Sequence, residues 1–303
     1  MADRLCIAAL LVALATAAGC GSGGDDGGPA AAAPPVPIPA HLCGGETFAS
    51  PIFATATING QDGWFVDPAG GFDEGIVALG SGACRGNGVW KLNNAVTSGA
   101  FGNQPVSPAF PQSAGESSVR SAGGGDTMVV SFFFRAVSPT ADGSTFTHSF
   151  SPTSSDRHTY LRFTNDLDAN GGFRIISIDG VLLDQTHSFA SNLSRTAWHH
   201  VRIVNLNVDG LAPGSIANDV VSIWIDGTLA GTFSTWESWR VALPAATLAV
   251  TRSLFRLSIA AASVDPSFTS PQGFYLDDYV QQVLDSSSPA TILESYKTGF
   301  EVP

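Results

Sequence analysis

The chain has 303 residues and a formal net charge of -12 at pH 7, with 26 acidic against 14 basic residues. This acidic excess opposes association with nucleic acid or with anionic lipid headgroups, so we expect no nucleic-acid partner. Only 13% of the residues are charged, while glycine is frequent, with 33 residues. Low charge with many small residues favours a secreted β protein over a helical cytosolic enzyme.

The first twenty residues have the pattern of a lipoprotein signal peptide. Arg4 precedes an apolar stretch, Leu5 to Ala18, that is short for a transmembrane helix. Small residues then lead into Cys20, the position of the acylated cysteine in a lipobox. The sequence predicts a signal peptide over residues 1–19, lipidation of Cys20, and an extracytoplasmic protein anchored at the outer membrane or cell surface. The alternatives are an ordinary signal peptide with an incidental cysteine and an uncleaved anchor.

Residues 20–42 are rich in Gly, Ala and Pro and have almost no aliphatic bulk. Such a segment cannot bury enough apolar surface to offset the entropy cost of ordering it. It is therefore predicted to be a flexible tether between the membrane and a folded domain over residues 43–286. Residues 287–303 are either a final strand or a tail.

Two cysteines remain for the folded domain once Cys6 is assigned to the signal peptide and Cys20 to lipidation. These are Cys43 and Cys84. Because disulfides persist outside the cytoplasm, and two cysteines can pair in one way only within a chain, we predict a bridge between them. It would stabilise the fold by about 4 kcal/mol in the chain-entropy model. Two separate buried thiols are the alternative.

Short alternating apolar runs with turn signals between them recur along the folded part. The predicted strands are Phe48–Thr57, Gly88–Asn93, Thr127–Val137, Ser144–Phe150, Thr159–Thr164, Gly172–Ile178, Val181–Thr186, Trp198–Asn205, Asp219–Ile225, Thr228–Ser234, Ser253–Ala260 and Gly273–Leu284. Asp226-Gly227 is predicted to form a hairpin turn. A dozen strands without a propeller-length repeat indicates an all-β, two-sheet antiparallel jelly-roll sandwich.

The Trp198-His199-His200-Val201 strand, followed by an apolar strand ending in Asp226-Gly227, resembles laminin-G-like and concanavalin A-like jelly rolls. Further matches run in order from Asn59-Gly60-Gln61-Asp62-Gly63-Trp64 to Gly273-Phe274-Tyr275-Leu276-Asp277-Asp278. Together they are similar to a group of secreted bacterial jelly-roll proteins. The resemblance implies a concanavalin A-like fold, whose members include lectins, glycan-binding modules, glycosidases and lyases, and it does not choose among these activities.

Known catalytic patterns of this fold are incomplete here. Glucanases of the fold carry Glu-x-Asp-x-x-Glu on one strand, and this chain has no such motif. Gln185-Thr186-His187 matches one lyase motif, but Arg-x-Glu-x-Arg is absent, and neighbours such as Tyr296-Lys297 point to opposite strand faces. His199 and His200 also alternate and so cannot share one ion; we expect one to pack inward beside Trp198 and the other to be solvated.

Two acidic patterns could hold a structural Ca²⁺, the one cofactor that the sequence suggests. Asp166, Asp168 and Asn170 have the spacing of the first half of an EF-hand loop, although the twelfth position is Ser177 rather than Glu. A hairpin loop is the favoured alternative. The pair Asp277-Asp278 is similar to an acidic pair on the last strand of several glycan-binding jelly rolls, where one member holds Ca²⁺.

Exposed aromatic residues indicate the predicted ligand site. Trp236 and Trp239 follow a strand end in a polar context, with Glu237 and Arg240 placed to hydrogen-bond sugar hydroxyls. Trp198 and Trp224, in the most apolar strands, are predicted to lie in the core. The leading hypothesis is a surface-tethered, non-catalytic, lectin-like module that binds glycan or mediates adhesion. The alternatives are a polysaccharide-active glycosidase or lyase, or a purely structural envelope lipoprotein, in which both Trp side chains would merely cap the sandwich.

Overall fold

The computed structural model describes residues 52–67, 74–92, 104–110, 127–151, 153, 157–167, 172–178, 186–206, 219–236, 250–259, 271–284 and 292–302. All of them fall within the unit Ala33–Pro303. The predictions for residues 1–51, which include the signal peptide, Cys20, the tether and Cys43, lie outside the described residues. Within the described ranges, no helix is long and apolar enough to cross a membrane.

The described ranges contain fifteen strands in two antiparallel sheets. The strands are β1 (Phe65–Asp67), β2 (Glu74–Ala78), β3 (Gly88–Leu92), β4 (Gln104–Val106), β5 (Thr127–Ala136), β6 (Thr145–Ser151), β7 (Leu161–Asn165), β8 (Phe173–Ile178), β9 (Thr186–Leu193), β10 (His199–Leu206), β11 (Val220–Ile225), β12 (Thr228–Ser234), β13 (Arg252–Ile259), β14 (Phe274–Leu284) and β15 (Ile292–Thr298). The seven-stranded sheet has the order β1-β4-β13-β6-β7-β8-β9. The eight-stranded sheet has the order β12-β11-β10-β5-β14-β3-β2, with β15 also paired to β14. The predicted two-sheet antiparallel jelly-roll sandwich is confirmed.

Phenylalanine side chains fill much of the space between the sheets. Phe146 of β6 stacks on Phe163 of β7 with 4.4 Å between ring centroids, and Phe134 of β5 in the other sheet contacts both rings edge-on. Because strand side chains alternate, inward Phe132 and Phe134 imply that Phe133 lies on the opposite face of β5. In the same way, the residues that lie between core residues of any of these strands face outward.

A buried carboxylate joins β2 to the preceding loop and to β3. Glu74 is 1% exposed. Its carboxylate accepts hydrogen bonds from the backbone N–H of Ile58, at 3.2 and 3.1 Å to the two oxygens, and from Nε1 of Trp90 at 2.8 Å. The hydroxyl of Thr57 donates to Oε1 as well. Glu74 therefore satisfies donors from two separate parts of the chain.

The C-terminal segment contains a strand and contributes to the core. β15 pairs with β14, and Phe300 beyond it is buried against Phe53, with 5.2 Å between ring centroids. The backbone of Phe300 passes so close to Gly88 that a Cβ at that position would lie 2.0 Å from the carbonyl oxygen. Only glycine permits this approach.

Some strand predictions were wrong. Within the predicted strand Phe48–Thr57, the described residues form no strand beyond one bridge, between Ile52 and Glu301. β9 runs from Thr186 to Leu193, beyond the end of the strand predicted at Val181–Thr186, and residues 181–185 of that prediction lie outside the described part. The strands β1, β2 and β4 were not predicted. They have 3, 5 and 3 residues, which is too short to show a clear alternation of apolar and polar residues.

Candidate functional site

The outer face of the seven-stranded sheet carries hydroxyl and guanidinium groups. Phe146 and Phe150 of β6 face the interior, so Thr147 and Ser149 between them face outward. Thr147 is paired with Arg162 of β7 on one side and with Arg256 of β13 on the other. Leu161 and Phe163 on either side of Arg162, and Phe255 before Arg256, belong to the core. Arg162, Thr147 and Arg256 therefore share the outer face.

Two aromatic rings meet beside these residues. Tyr160 and Trp236 are stacked, with 5.8 Å between ring centroids and 22° between the ring planes. The backbone N–H of Trp236 donates to the carbonyl of His158 at 2.7 Å, which ties the end of β12 to the segment before β7. Both rings are half-buried. The pair is thus held by main-chain contacts while part of each ring stays accessible.

Arginine side chains surround the aromatic pair. The guanidinium carbon of Arg157 lies 5.3 Å from the ring centroid of Tyr160, over its face. Burial, together with the nearby positive charge of Arg256, lowers the pKa of Arg157 to about 10. Burial also lowers the pKa of Arg256. Two guanidinium groups and a stacked aromatic pair therefore share one small region, a combination that can pack against a sugar ring and donate hydrogen bonds to it.

Two buried polar atoms on this face have no hydrogen-bond partner within the part of the chain that the structure describes. They are Oγ of Ser149, whose residue is 1% exposed, and Nε of Arg162. Ser149 follows His148, which is paired with Leu161, so it lies opposite Tyr160. Buried donors in folded proteins nearly always find an acceptor. These two atoms are therefore unsatisfied hydrogen-bonding groups among the described residues of this face.

The sequence located one member of this site and missed the others. Of the four residues predicted to bind ligand, Trp236 lies in it, whereas Glu237, Trp239 and Arg240 lie outside the described residues. Arg157, Tyr160, Arg162 and Arg256 were not predicted. The spacing of Tyr160 and Arg162, two residues apart on one strand face, was the available signal.

The acidic pair in β14 is engaged by backbone and guanidinium donors. The two oxygens of Asp277 accept hydrogen bonds from the backbone N–H groups of Arg85 and Asp278, each at 2.8 Å. Oδ1 of Asp278 lies 3.2 Å from Nη1 of Arg85. Burial raises the pKa of Asp277 to about 7. Across the described ranges no three His, Cys, Asp or Glu side chains group as metal ligands, and calcium binding at Asp277 and Asp278 stays a prediction.

The other predicted calcium segment is only partly described. The carboxylate of Asp166 forms an ion pair with Arg174, with 3.1 Å between Oδ2 and Nε, and its carbonyl accepts a hydrogen bond from Arg195. Asp168 and Asn170 lie outside the described residues, so a calcium loop at this position also stays a prediction. The predicted disulfide is also only partly described. Cys84 is buried and disulfide-bonded, but its predicted partner Cys43 lies outside the described residues.

His199 and His200 face opposite sides of β10, but the prediction that one of them is solvated was wrong, since they are 7% and 2% exposed. His199 packs inward on Phe134 at 5.8 Å between ring centroids. His200 packs outward on Phe133 at 4.8 Å, and burial lowers its pKa to about 4. Phe133, on the outward face of β5, is itself buried, and His200 packed against it is therefore shielded from solvent.

The predicted core position of Trp198 was also wrong. Its ring is half-buried and lies 5.1 Å from the guanidinium carbon of Arg135, and its Nε1 donates to the carbonyl of Gly82 at 3.2 Å. Trp224 is buried, but in a small outer cluster with Val129 and Val204 rather than between the sheets. Trp198 precedes the first residue of β10, so strand alternation does not hold it in the core.

Asp226 both forms the hairpin turn with Gly227 and contacts His199 through its carboxylate. Both residues have positive φ, 50° and 81°, as the predicted hairpin turn requires. Oδ2 of Asp226 lies 2.7 Å from Nδ1 of His199, and Nε2 of His199 lies 2.9 Å from the carbonyl oxygen of Ser194. Burial would raise the pKa of Asp226, but hydrogen bonds from His199 and from the backbone of His200 lower it. This carboxylate thus links the turn to the start of β10.

An Asp226→Ala variant is expected to lower the free energy of unfolding by about 2 kcal/mol, because it leaves a buried ring nitrogen and the His200 N–H without an acceptor. Asp226→Asn should cost less than half as much. Its amide can donate to Nδ1 of a neutral ring, its carbonyl can accept from His200, and asparagine tolerates positive φ. Denaturant unfolding of both variants measures the difference, and equal losses would show that the side-chain hydrogen bonds contribute little.

Residues that match lyase motifs are separated by the fold. His187 lies on β9, at the end of the seven-stranded sheet, whereas Tyr296 and Lys297 lie on β15, which pairs with β14 in the eight-stranded sheet. Gln185 is outside the described residues. The three motif positions that are described therefore do not come from one sheet.

Comparisons with known proteins found solved structures of low sequence identity to this chain. No family model matches the chain, and the curated proteins contain no match. Similar solved structures include an engineered GH43 glycoside hydrolase (13% identity, 79% of this chain and 42% of that chain, TM-score 0.45) and a sialidase (13% identity, 75% of this chain and 17% of that chain, TM-score 0.42). The alginate lyase Aly36B is another (12% identity, 72% of this chain and 84% of that chain, TM-score 0.38). These scores carry no argument about activity.

Proposed function

We propose that this protein is a non-catalytic carbohydrate-binding module, held at a membrane surface by a lipid on Cys20. The observation that carries the proposal is the stacked, half-buried pair of Tyr160, which directly precedes β7 of the seven-stranded sheet, and Trp236, which follows β12 of the eight-stranded sheet, with Arg157 over the tyrosine ring. Apolar faces of sugar rings pack on such aromatic surfaces, and a few convergent polar groups orient the hydroxyls.

The composition of the same face supports binding without hydrolysis. Glycosidases of the usual kind need a pair of carboxyl groups on either side of the scissile bond. Strands β4, β13, β6, β7, β8 and β9 contain neither Asp nor Glu. Among the described residues, the guanidinium of Arg157 lies over Tyr160 and Ser149 lies opposite it; such groups donate hydrogen bonds to a ligand but do not form the acid and nucleophile of that mechanism.

The proposal is tested by binding of the purified full chain to an array of immobilised glycans. We expect Trp236→Ala to weaken binding to the recognised glycan about tenfold or more, the loss expected for one stacked aromatic contact and its burial. Trp198→Ala is the matched control, because Trp198 is also half-buried but lies in the eight-stranded sheet region. It should leave the affinity unchanged.

Three outcomes would contradict the proposal. Equal affinity of the Trp236→Ala variant and the parent would remove the site from this face. Release of sugar products from a panel of polysaccharides would make the protein an enzyme instead. Failure of the full chain to bind any glycan on a broad array would favour a structural envelope protein.

A further inference from the structure

The strands of the seven-stranded sheet carry more basic than acidic residues, although the chain as a whole is acidic. Its strands β13, β7 and β8 carry four arginines, and six of its seven strands contain no acidic residue. In the whole chain, acidic residues outnumber basic ones by 26 to 14. The charge on this sheet is therefore opposite in sign to that of the protein as a whole.

Three of these arginines, Arg162, Arg252 and Arg256, lie on one outer surface, which we call the basic face, and the buried Arg157 lies beside it. Arg162 and Arg256 flank Thr147 from neighbouring strands, so their backbones are about 10 Å apart, or two strand spacings. Arg252 lies four residues before Arg256 on the same face of β13. Its Nη1 donates to the carbonyl of Ser107 at 2.9 Å, and its guanidinium lies 5.0 Å from the Phe65 ring centroid.

The basic face is arranged to receive negative charge. Besides burial, the positive charge of Arg256 lowers the pKa of Arg157, and such repulsion between guanidinium groups is relieved when an anion binds near them. The guanidinium fork matches the paired oxygens of a carboxylate or a sulfate. Nε of Arg162 is buried and has no acceptor among the described residues, so one such donor is still to be satisfied.

We infer that the basic face binds an acidic polysaccharide, one whose sugar residues carry carboxylate or sulfate groups. The inference rests on the proposed function: Tyr160 and Trp236 pack against the sugar rings, and the arginines select the charged groups. The overall negative charge does not prevent this, because interactions between exposed charges are screened over about 8 Å at physiological ionic strength. The arginines in contact then outweigh the distant acidic residues.

The test uses calorimetric titration of the full chain with two matched pairs of polymers. Polygalacturonate is compared with its methyl ester, which keeps the sugar and removes the charge, and dextran sulfate is compared with dextran. We expect the charged member of at least one pair to bind at least about tenfold more tightly than its neutral partner, and the affinity to fall as salt is raised. The pair that responds distinguishes carboxylate from sulfate.

Variants assign the effect to the basic face. The double variant Arg162→Gln/Arg256→Gln should lose the preference for the charged polymer, whereas the double lysine variant, which keeps the charge, should retain part of it. Arg135→Gln is the control, since Arg135 is also close to aromatic rings but belongs to the eight-stranded sheet. Thermal unfolding of each variant verifies that it is folded.

The outcomes separate this inference from the proposed function. Equal binding of polygalacturonate and its ester, weakened alike by Trp236→Ala, would overturn the inference and leave the carbohydrate-binding module intact. No binding of either charged polymer would also overturn it, while the glycan array still decides the broader proposal. Binding of poly-glutamate as tight as that of the polysaccharides would overturn both, because the face would then recognise charge without sugar.

Discussion

A Glu74→Leu variant is expected to lose about 4 kcal/mol of its free energy of unfolding. The leucine would leave the N–H of Ile58 and the indole N–H of Trp90 buried without the acceptor that each now has. Each unsatisfied buried donor costs about 1–3 kcal/mol. A loss of this size is a large part of the stability of a typical domain.

Glu74→Gln is the control for this prediction. Glutamine keeps one side-chain carbonyl as acceptor at nearly the same volume, so it should lose clearly less stability than leucine. Urea denaturation followed by tryptophan fluorescence gives both values, and Trp90 itself reports on the site. Equal small losses for the two variants would show that Ile58 and Trp90 find other acceptors and that the carboxylate does not hold β2 in place.

Asp277 is expected to make the protein less stable as pH rises towards 8. Burial raises its pKa in the folded protein to about 7, well above the usual aspartate value of 3.8. A carboxyl group whose pKa is raised by folding stabilises the protein below its unfolded pKa, and this contribution is lost as pH rises through the folded pKa. Between pH 5 and pH 8 the loss from Asp277 amounts to roughly 3 kcal/mol.

Two buried histidines act in the opposite direction and must be separated from Asp277. Burial lowers the pKa of His148 to about 3 and that of His200 to about 4, so their contribution to stability is present above pH 6.5 and is lost as pH falls through these values. Both histidines are present in Asp277→Asn and in the parent protein, so their effect on stability drops out of the difference between the two. The variant loses one hydrogen bond at every pH, because its amide nitrogen faces a backbone N–H.

The decisive quantity is the pH dependence of that difference. Relative to the parent, Asp277→Asn should gain roughly 3 kcal/mol of stability between pH 5 and pH 8, measured by urea denaturation at each pH. A difference that stays constant over this range would mean that Asp277 is ionised throughout. The backbone N–H groups of Arg85 and Asp278 would then outweigh its burial.

The sequence predicted those parts of the fold in which local pattern and tertiary environment agree. β5, β6, β10 and β14 alternate or run apolar over seven or more residues, and the structure forms strands there. Most of β9 was not predicted because its residues are exposed or half-buried, so no apolar period marks it. It is held as a strand by its backbone pairing with β8, which local sequence does not encode.

The candidate site was harder to predict than the fold because its residues are distant in sequence. Trp236 was found from its polar neighbours, which is a local signal. Tyr160 and Arg162 come together with Arg256 only because β6 pairs with β7 on one side and with β13 on the other. A sum of charge over the whole chain also hides the excess of basic over acidic residues in the strands of the seven-stranded sheet.

The proposed glycan contacts are Tyr160, which directly precedes β7, and Trp236, which follows β12. The indole N–H resonances of the full chain, assigned with Trp236→Ala and Trp198→Ala, measure this directly during titration with polygalacturonate or another glycan that binds on the array. We expect the Trp236 resonance to move with ligand concentration while those of Trp198 and the buried Trp64 and Trp90 stay in place. A shift of Trp198 with no change at Trp236 would contradict the account and place the site on the other sheet.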